Sequence, residues 1–335
     1  METMNGLWRQ RRKTLWFLLA LLIAIVAISI FVGRYPKPFF MPLQLLWEDT
    51  LAQRLVWSLR MPRILTAALL GATLAACGTV LQMIFRNPIV EPGFLGVSQG
   101  AAFGAAVAIL WFGASPLAVE LSASFFALFG LGISFLLAKS LRFGGWVLRL
   151  ILSGIVVSAL FSSGLGVLKY LADPLTQLQE ITFWLLGGLW SVTWRDVLYY
   201  LPVVVPGLLV VYLMRWRLNV LSLGEDTSFS LGAETNRERL LLLVSAVSAT
   251  AVLTAVSGII GWVGLIIPLA ARHIFGPNGQ FALPGSMLLG AVFAVICDNL
   301  ARTLLAGEIP LGILTSFIGA LLFVLVMNRS RIKLR

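Results

Sequence analysis

Apolar runs of about twenty residues, separated by short polar stretches, recur along the whole chain. Each is long enough to cross about 30 Å of hydrocarbon at roughly 1.5 Å per residue. The runs predict ten membrane helices, near residues 14–33, 61–85, 94–113, 117–138, 147–171, 196–214, 240–259, 261–275, 283–305 and 310–327. The seventh and eighth depart from the rest. Together they are too long for one ordinary span, and the eighth is short for a full one. "SGIIGWVGLIIP" sets Gly258, Gly261, Gly264 and Pro268 through the middle, which predicts a broken or sharply reoriented pair of helices. Interrupted segments of this kind build transporter pathways, and small residues also let neighbouring helices approach closely. The pattern accommodates both.

Between the fifth and sixth runs, "DPLTQLQEITFWLLGGLW" (173–190) is polar first and aromatic afterwards. That order predicts a short helix lying at an interface. The largest polar stretch, 217–240, has Gly224 and Gly232 bracketing short pieces and Glu225 and Asp226 suited to a helix start. Its alternating charge and leucine-containing turns fit docking to a cytoplasmic partner better than a plain linker.

Composition adds the class. Of 335 residues, 59% are hydrophobic and 12% charged, against about 25% charged in an ordinary soluble domain. The chain is expected to be an all-α polytopic membrane protein, a single transmembrane domain over 1–335. Ten crossings place both termini on one side. With the termini inside, seventeen of the 25 Lys and Arg residues fall inside and eight outside, the asymmetry expected of cytoplasmic loops. The formal charge of +11 is therefore a topology signal, not a nucleic-acid footprint. The apolar run of the basic N-terminus exceeds a signal-peptide core and no A-x-A-like site follows it, so it is expected to stay as the first helix.

Candidate chemistry is sparse. No phosphate-cradling G-x-x-x-x-G-K-[ST] stretch occurs, and the single histidine, His273, excludes H-E-x-x-H zinc chemistry. Cys77 and Cys297 both lie in apolar runs, so no disulfide framework or thiolate metal site is indicated. Asp298 stands out as an acid in mid-segment, a functional candidate by default. Arg302, four residues on, offers an ion pair on the same helix face. The Asn87-Pro88 pair raises a water-channel geometry, but that needs two facing copies and the chain has one.

Several spaced blocks carry a resemblance: "LRMPR" (59–63), "GTVLQMIFRNPIVEPGFLGVSQGA" (78–101), "FWLLGGLW" (183–190), "LNVLSLGEDTSFSLG" (218–232), "SGIIGWVGLIIP" (257–268) and "EIPLGILTSFIGA" (308–320). In order and spacing the chain resembles the permease subunits of bacterial ABC importers for iron chelates, haem and cobalamin. The resemblance implies a type II ABC importer permease fold with ten helices in the inner membrane. It also implies a homodimer with the pathway at its interface, lined partly by the second, fifth and tenth helices. Two cytoplasmic ATPase subunits and a periplasmic binding protein complete the machine, so no catalysis and no cofactor are expected of this chain. Leu223, Gly224, Glu225, Leu231 and Gly232 match the ATPase-docking segment. Arg60, Arg63 and Arg302 match the outward arginines that receive acids of the binding protein, an assignment that competes with the Asp298–Arg302 pair. Ser140, Leu141, Arg142, Phe143, Gly144 and Gly145 match the cytoplasmic gate. The chain departs from its relatives at Leu269, where a histidine is usual. The expected cargo is an iron–siderophore or haem, with cobalamin or an oxyanion such as molybdate as alternatives. A stand-alone secondary carrier or channel is the reading from another class.

Overall fold

The computed structural model describes residues 2–36, 39–223, 225–232 and 234–329. Among them, helices stand at all ten expected positions. They are α1 (Glu2–Phe31), α2 (Met61–Ile84), α3 (Val97–Trp111), α4 (Pro116–Ser140) and α5 (Trp146–Leu171). After the short α6 (Gln177–Leu186) come α7 (Trp194–Leu213), α8 (Thr235–Ser257), α9 (Val263–Phe275), α10 (Gly279–Thr303) and α11 (Leu311–Arg329). Eight are long and apolar enough to cross a membrane, while α3 and α9 are shorter. α6 is a short helix where the polar-then-aromatic stretch predicts one.

Local sequence sets the ends. Pro116 opens α4 behind Ser115, whose hydroxyl accepts the Ala118 N–H. Thr193 and Asp196 form a reciprocal capping box at the start of α7. Asn278 caps α10 through the Gln280 N–H and also accepts a bond from the Asn219 side chain, which fixes α10 to the turn after α7.

α2 is the central pillar. Its span is 78% buried, against 22% for α11, 33% for α5 and 11% for α1. The burial follows from small residues that let backbones touch. A Cβ on Gly71 would lie 2.0 Å from the Gly290 carbonyl oxygen of α10, and one on Gly78 would lie 1.8 Å from the Gly264 carbonyl oxygen of α9. No side chain fits at either crossing. This corrects the expectation that the second helix lines a pathway between subunits, because the chain's own helices enclose its membrane-spanning length. α5 and α11 are among the helices with broad exposed apolar faces, with Ile155, Val156 and Leu160 on one and Phe317, Leu321 and Val324 on the other; α1, α4 and α7 expose apolar faces as well.

Candidate functional site

Three places gather the residues that the sequence singles out. The first lies where α8 gives way to α9. α8 ends at Ser257, Gly258 turns with φ +69°, and Trp262 holds the left-handed φ of +72° before α9 begins. For a bulky residue this is strained backbone, costing on the order of 1–3 kcal/mol. Its surroundings hold it. The Glu91 carboxylate, from the loop before α3, accepts the Trp262 N–H. The indole packs edge-on against Phe323 of α11 at 6.3 Å between ring centres. Burial pushes the Glu91 carboxyl above its ordinary range, and the Trp262 N–H pulls the other way.

Four of the sequence blocks meet here. Pro92 packs within 2.8 Å of where a Gly264 Cβ would stand. The Gly188 N–H, just past α6, donates to the Ser257 carbonyl at 2.8 Å. A Cβ on Gly312, at the start of α11, would sit 2.4 Å from the Leu186 carbonyl oxygen and 2.8 Å from that of Ile259. A cavity of about 380 Å³ opens beside the break, with Glu91, Ser98, Gln99, Ser158 and Thr254 in its wall. The Ser158 hydroxyl has no bond partner there.

The second place is the end of the helices that the charge count assigns to the outside. A stretch of wider, i→i+5 turns over Leu55–Arg60 runs into α2 and aims Arg60 and Arg63 inward. Arg63 donates through Nε to Asp298 Oδ1 at 2.8 Å, and through Nη1 to both carboxylate oxygens of Glu308 at 2.8 Å. Arg60 donates to the Ile30 carbonyl at 2.7 Å, and the bare Cα of Gly33 leaves room for its guanidinium. Arg302 donates to the Ser29 carbonyl at 2.7 Å and to the Asn299 side chain.

The Asp298–Arg302 ion pair expected from the spacing is present, and a second, closer partner joins it. Asp298 takes Arg63 from α2 as its hydrogen-bonded partner, while the Arg302 Nε stands 3.7 Å from Oδ2 without a hydrogen bond. Residue spacing on one helix could not reveal a partner 235 positions away. All three arginines are at most 8% exposed, and they line a cavity of about 550 Å³ that Glu308 shares. Arg34 lines the same cavity, so four guanidiniums stand against two carboxylates, Asp298 and Glu308, and positive charge is in excess.

The third place is the polar stretch after α7. Leu218 and Leu221 are fully buried and anchor it, and the Ser228 hydroxyl donates to the Val220 carbonyl at 2.7 Å. Leu223 and Leu231 are exposed on either side of a short helix, Glu225–Ser230, and Gly232 takes φ +75°. Gly224 and the side chain of Glu225 lie outside the described residues. Phe229, 75% exposed, joins Leu223 and Leu231 on this surface, although sequence reasoning passed over it. The 141–145 turn between α4 and α5 is held by Arg149, which donates to the Leu141 carbonyl at 2.7 Å; Ser140 bonds back to Leu137, and Arg142, Phe143, Gly144 and Gly145 are exposed.

Sequence reasoning also missed Glu120, near the start of α4. It is 7% exposed and hydrogen-bonds Asp196 of α7. The signal that could have found it is an acid one turn inside a predicted span.

Residues 21–329 match the FecCD transport family. The chain belongs to that family. It is 41% identical over 330 residues to the molybdate import system permease protein of Haemophilus influenzae, covering 95% of this chain and 96% of that one. A probable iron chelatin transport system permease protein of Helicobacter pylori is 40% identical over 279 residues, 83% of each chain. A metal-chelate type ABC transporter solved in an inward-facing conformation superposes with TM-score 0.87 at 38% identity, covering 95% of this chain and all of that one. The chain is thus a multi-pass membrane permease of the ABC importer class, as its sequence blocks imply.

Proposed function

We propose that the chain forms half of a homodimer in the bacterial inner membrane, with both termini cytoplasmic. Cargo passes inward between α5 and α11 of the two copies. ATP is bound and hydrolysed on two separate cytoplasmic subunits. The observation that carries the reading is the third site, where Leu223, Phe229 and Leu231 stand exposed on a segment whose other leucines are sunk in the core. A loop that spends three large apolar side chains on solvent needs a partner to cover them. Its placement fits ATPase docking, with Gly232 turning the chain at φ +75°, and Gly224 and Glu225 are assigned to the same docking segment from the sequence block. Replacing Phe229 and Leu231 together by Asp is expected to abolish co-purification of the ATPase while the permease still inserts and dimerises; intact co-purification would defeat the assignment.

Arg60, Arg63 and Arg302 are proposed to receive acidic side chains of a periplasmic binding protein through the excess positive charge of the outer cavity. Because the arginines are recessed, only a side chain reaching into that cavity would meet them. The 141–145 turn is proposed as the cytoplasmic gate. The cargo is proposed to be a metal chelate, an iron–siderophore or haem. A second reading, molybdate, is favoured by the 41% identity to the Haemophilus influenzae permease. Proteoliposomes holding the permease, its ATPase and its binding protein, offered labelled molybdate, haem and iron–siderophore, separate the two. Transport by the permease alone, without ATP, would establish the secondary-carrier class instead.

A further inference from the structure

We infer that a groove between α1, α7 and α10 is a binding site for one anionic phospholipid. Its first wall is one face of α1, where Arg12, Leu15, Trp16 and Leu19 recur at helical spacing. The second wall is Pro284, Met287 and Leu288 of α10, and Tyr212, at the end of α7, closes one end. The space between them is about 470 Å³.

The groove persists because α1 seats on α10 elsewhere. Trp8 meets Phe281 edge-on at 5.0 Å, Arg11 lies over the same ring at 5.6 Å, and Leu18 packs with Ala271 and Phe275. Leu15 and Leu288 belong to both the seat and the groove, while Arg12, Trp16 and Leu19 are left on the side towards Tyr212. Trp16 is 70% exposed, so among the described residues none covers its indole.

Charge and polarity decide the occupant. Arg12 is exposed at the same end as Tyr212 and makes no hydrogen bond or ion pair among the described residues. A second guanidinium stacks on Tyr212. Arg215 lies 4.1 Å over the Tyr212 ring and spends one nitrogen on the Tyr212 carbonyl, which leaves its other donors free. No carboxylate lines the groove among the described residues. From Arg12 to Leu19 the walls turn wholly apolar over about 10 Å of helix rise. A cationic mouth flanked by Trp16 and Tyr212, leading into an apolar trough, fits a phosphodiester headgroup with an acyl chain behind it. A free phosphate would leave the trough empty, and a zwitterionic lipid would leave the two guanidiniums only partly matched.

The leaflet follows from the proposed topology, with the basic N-terminus cytoplasmic; the site itself does not depend on it. The test uses the purified full chain in nanodiscs containing phosphatidylglycerol and phosphatidylcholine, and needs no ATPase, binding protein or cargo. It can therefore fail without touching the proposed function, and succeed if that function is wrong. Native mass spectrometry counts retained lipids by headgroup. Brominated-acyl phosphatidylglycerol reports on occupancy through the fluorescence lost with Trp16→Phe.

The expected result is one phosphatidylglycerol retained per chain. The preference over phosphatidylcholine should fall about fivefold in Arg12→Gln and again in Arg215→Gln. Lys13→Gln, on another face of α1, should leave it unchanged. Met287→Trp should lower occupancy by filling the trough while keeping the charge, which separates lipid loss from misfolding. Unaltered headgroup preference in both arginine variants would overturn the site. So would competition by millimolar inorganic phosphate, or a loss of dimer in Arg12→Gln at constant lipid count, which would place a second copy of the chain on this face.

Discussion

Replacing Asp298 by Asn tests whether the outer arginine cluster is held together by this one buried carboxylate. The side chain is 1% exposed, bonds Arg63 at 2.8 Å and stands 3.7 Å from Arg302. Asn keeps an oxygen that can accept the Arg63 Nε–H but removes the charge. Two buried guanidiniums would then share Glu308, whose side chain is 41% exposed and so partly screened by water. Breaking a buried pair from one side costs about 3–5 kcal/mol, since the stranded charge stays desolvated. The kept hydrogen bond places Asp298→Asn near the lower end, about 3 kcal/mol, and Asp298→Ala near the upper. Unfolding of the purified permease in mixed micelles against added SDS measures both. A double-mutant cycle with Arg63→Met should show coupling of about 2 kcal/mol or more, because the second change removes one stranded charge. Asp298→Asn within about 0.5 kcal/mol of the parent, with no coupling, would refute the structural role. If transport were lost at the same time, Asp298 would be a functional acid, as an intramembrane carboxylate is by default.

Three further outcomes follow from the other sites. At Glu91, burial raises the folded-state pKa, so the folded chain holds its proton more tightly and the carboxyl's contribution to stability declines as pH rises from the ordinary Glu value through the raised one. Glu91→Gln, which can still accept the Trp262 N–H, should flatten that decline in melting curves taken between pH 4 and 8, whereas Glu91→Ala should destabilise at every pH. Gly78→Ala should destabilise by at least the usual 1–3 kcal/mol of overpacking, because the obstacle 1.8 Å away is a backbone carbonyl that no rotamer change can clear; a melting temperature unchanged from the parent would contradict the α2–α9 crossing. Glu120→Gln should cost little, since the amide still offers a donor to the Asp196 side chain, and a large loss in the same SDS assay would mean that the carboxyl itself is needed there.

Helix positions were legible because length and apolarity are local properties, and the α8–α9 break was legible in its glycines and Pro268. α6 emerged from the order polar-then-aromatic. Partners were not legible. Asp298 invites pairing with Arg302 by spacing, yet Arg63 reaches it from a helix that only the packing of Gly71 against Gly290 brings alongside. Which helix faces are spare was equally hidden. α2 and α11 both read as apolar runs, and only the assembled chain separates an enclosed pillar from a helix that is 22% buried. Phe229 escaped notice because one aromatic in a polar loop has no period to betray it.

The conserved-looking texture of the sequence blocks has a physical explanation in their meeting point. "EPG", "FWLLGG", "SGIIGWVG" and "IPLG" supply backbone that approaches backbone: Gly188 on Ser257, Gly312 on Leu186 and Ile259, Pro92 on Gly264, and Glu91 on the strained Trp262. These contacts tie the loop before α3, the short α6 and the start of α11 to one break. The same α11 presents an exposed apolar face, and its Phe323 rests on Trp262. A change in the α11 tilt must therefore disturb Trp262, and with it the bond to Glu91. That chain of contacts gives the residue types at the break a mechanical reason that does not require any of them to touch cargo. Trp262→Gly separates the two readings. It removes the strain and the indole together, and should leave the fold intact while uncoupling α11 from the Glu91 loop, seen as ATP hydrolysis that no longer depends on binding protein. If coupling survived and only cargo selectivity changed, the break would be a recognition site and the mechanical account would be wrong.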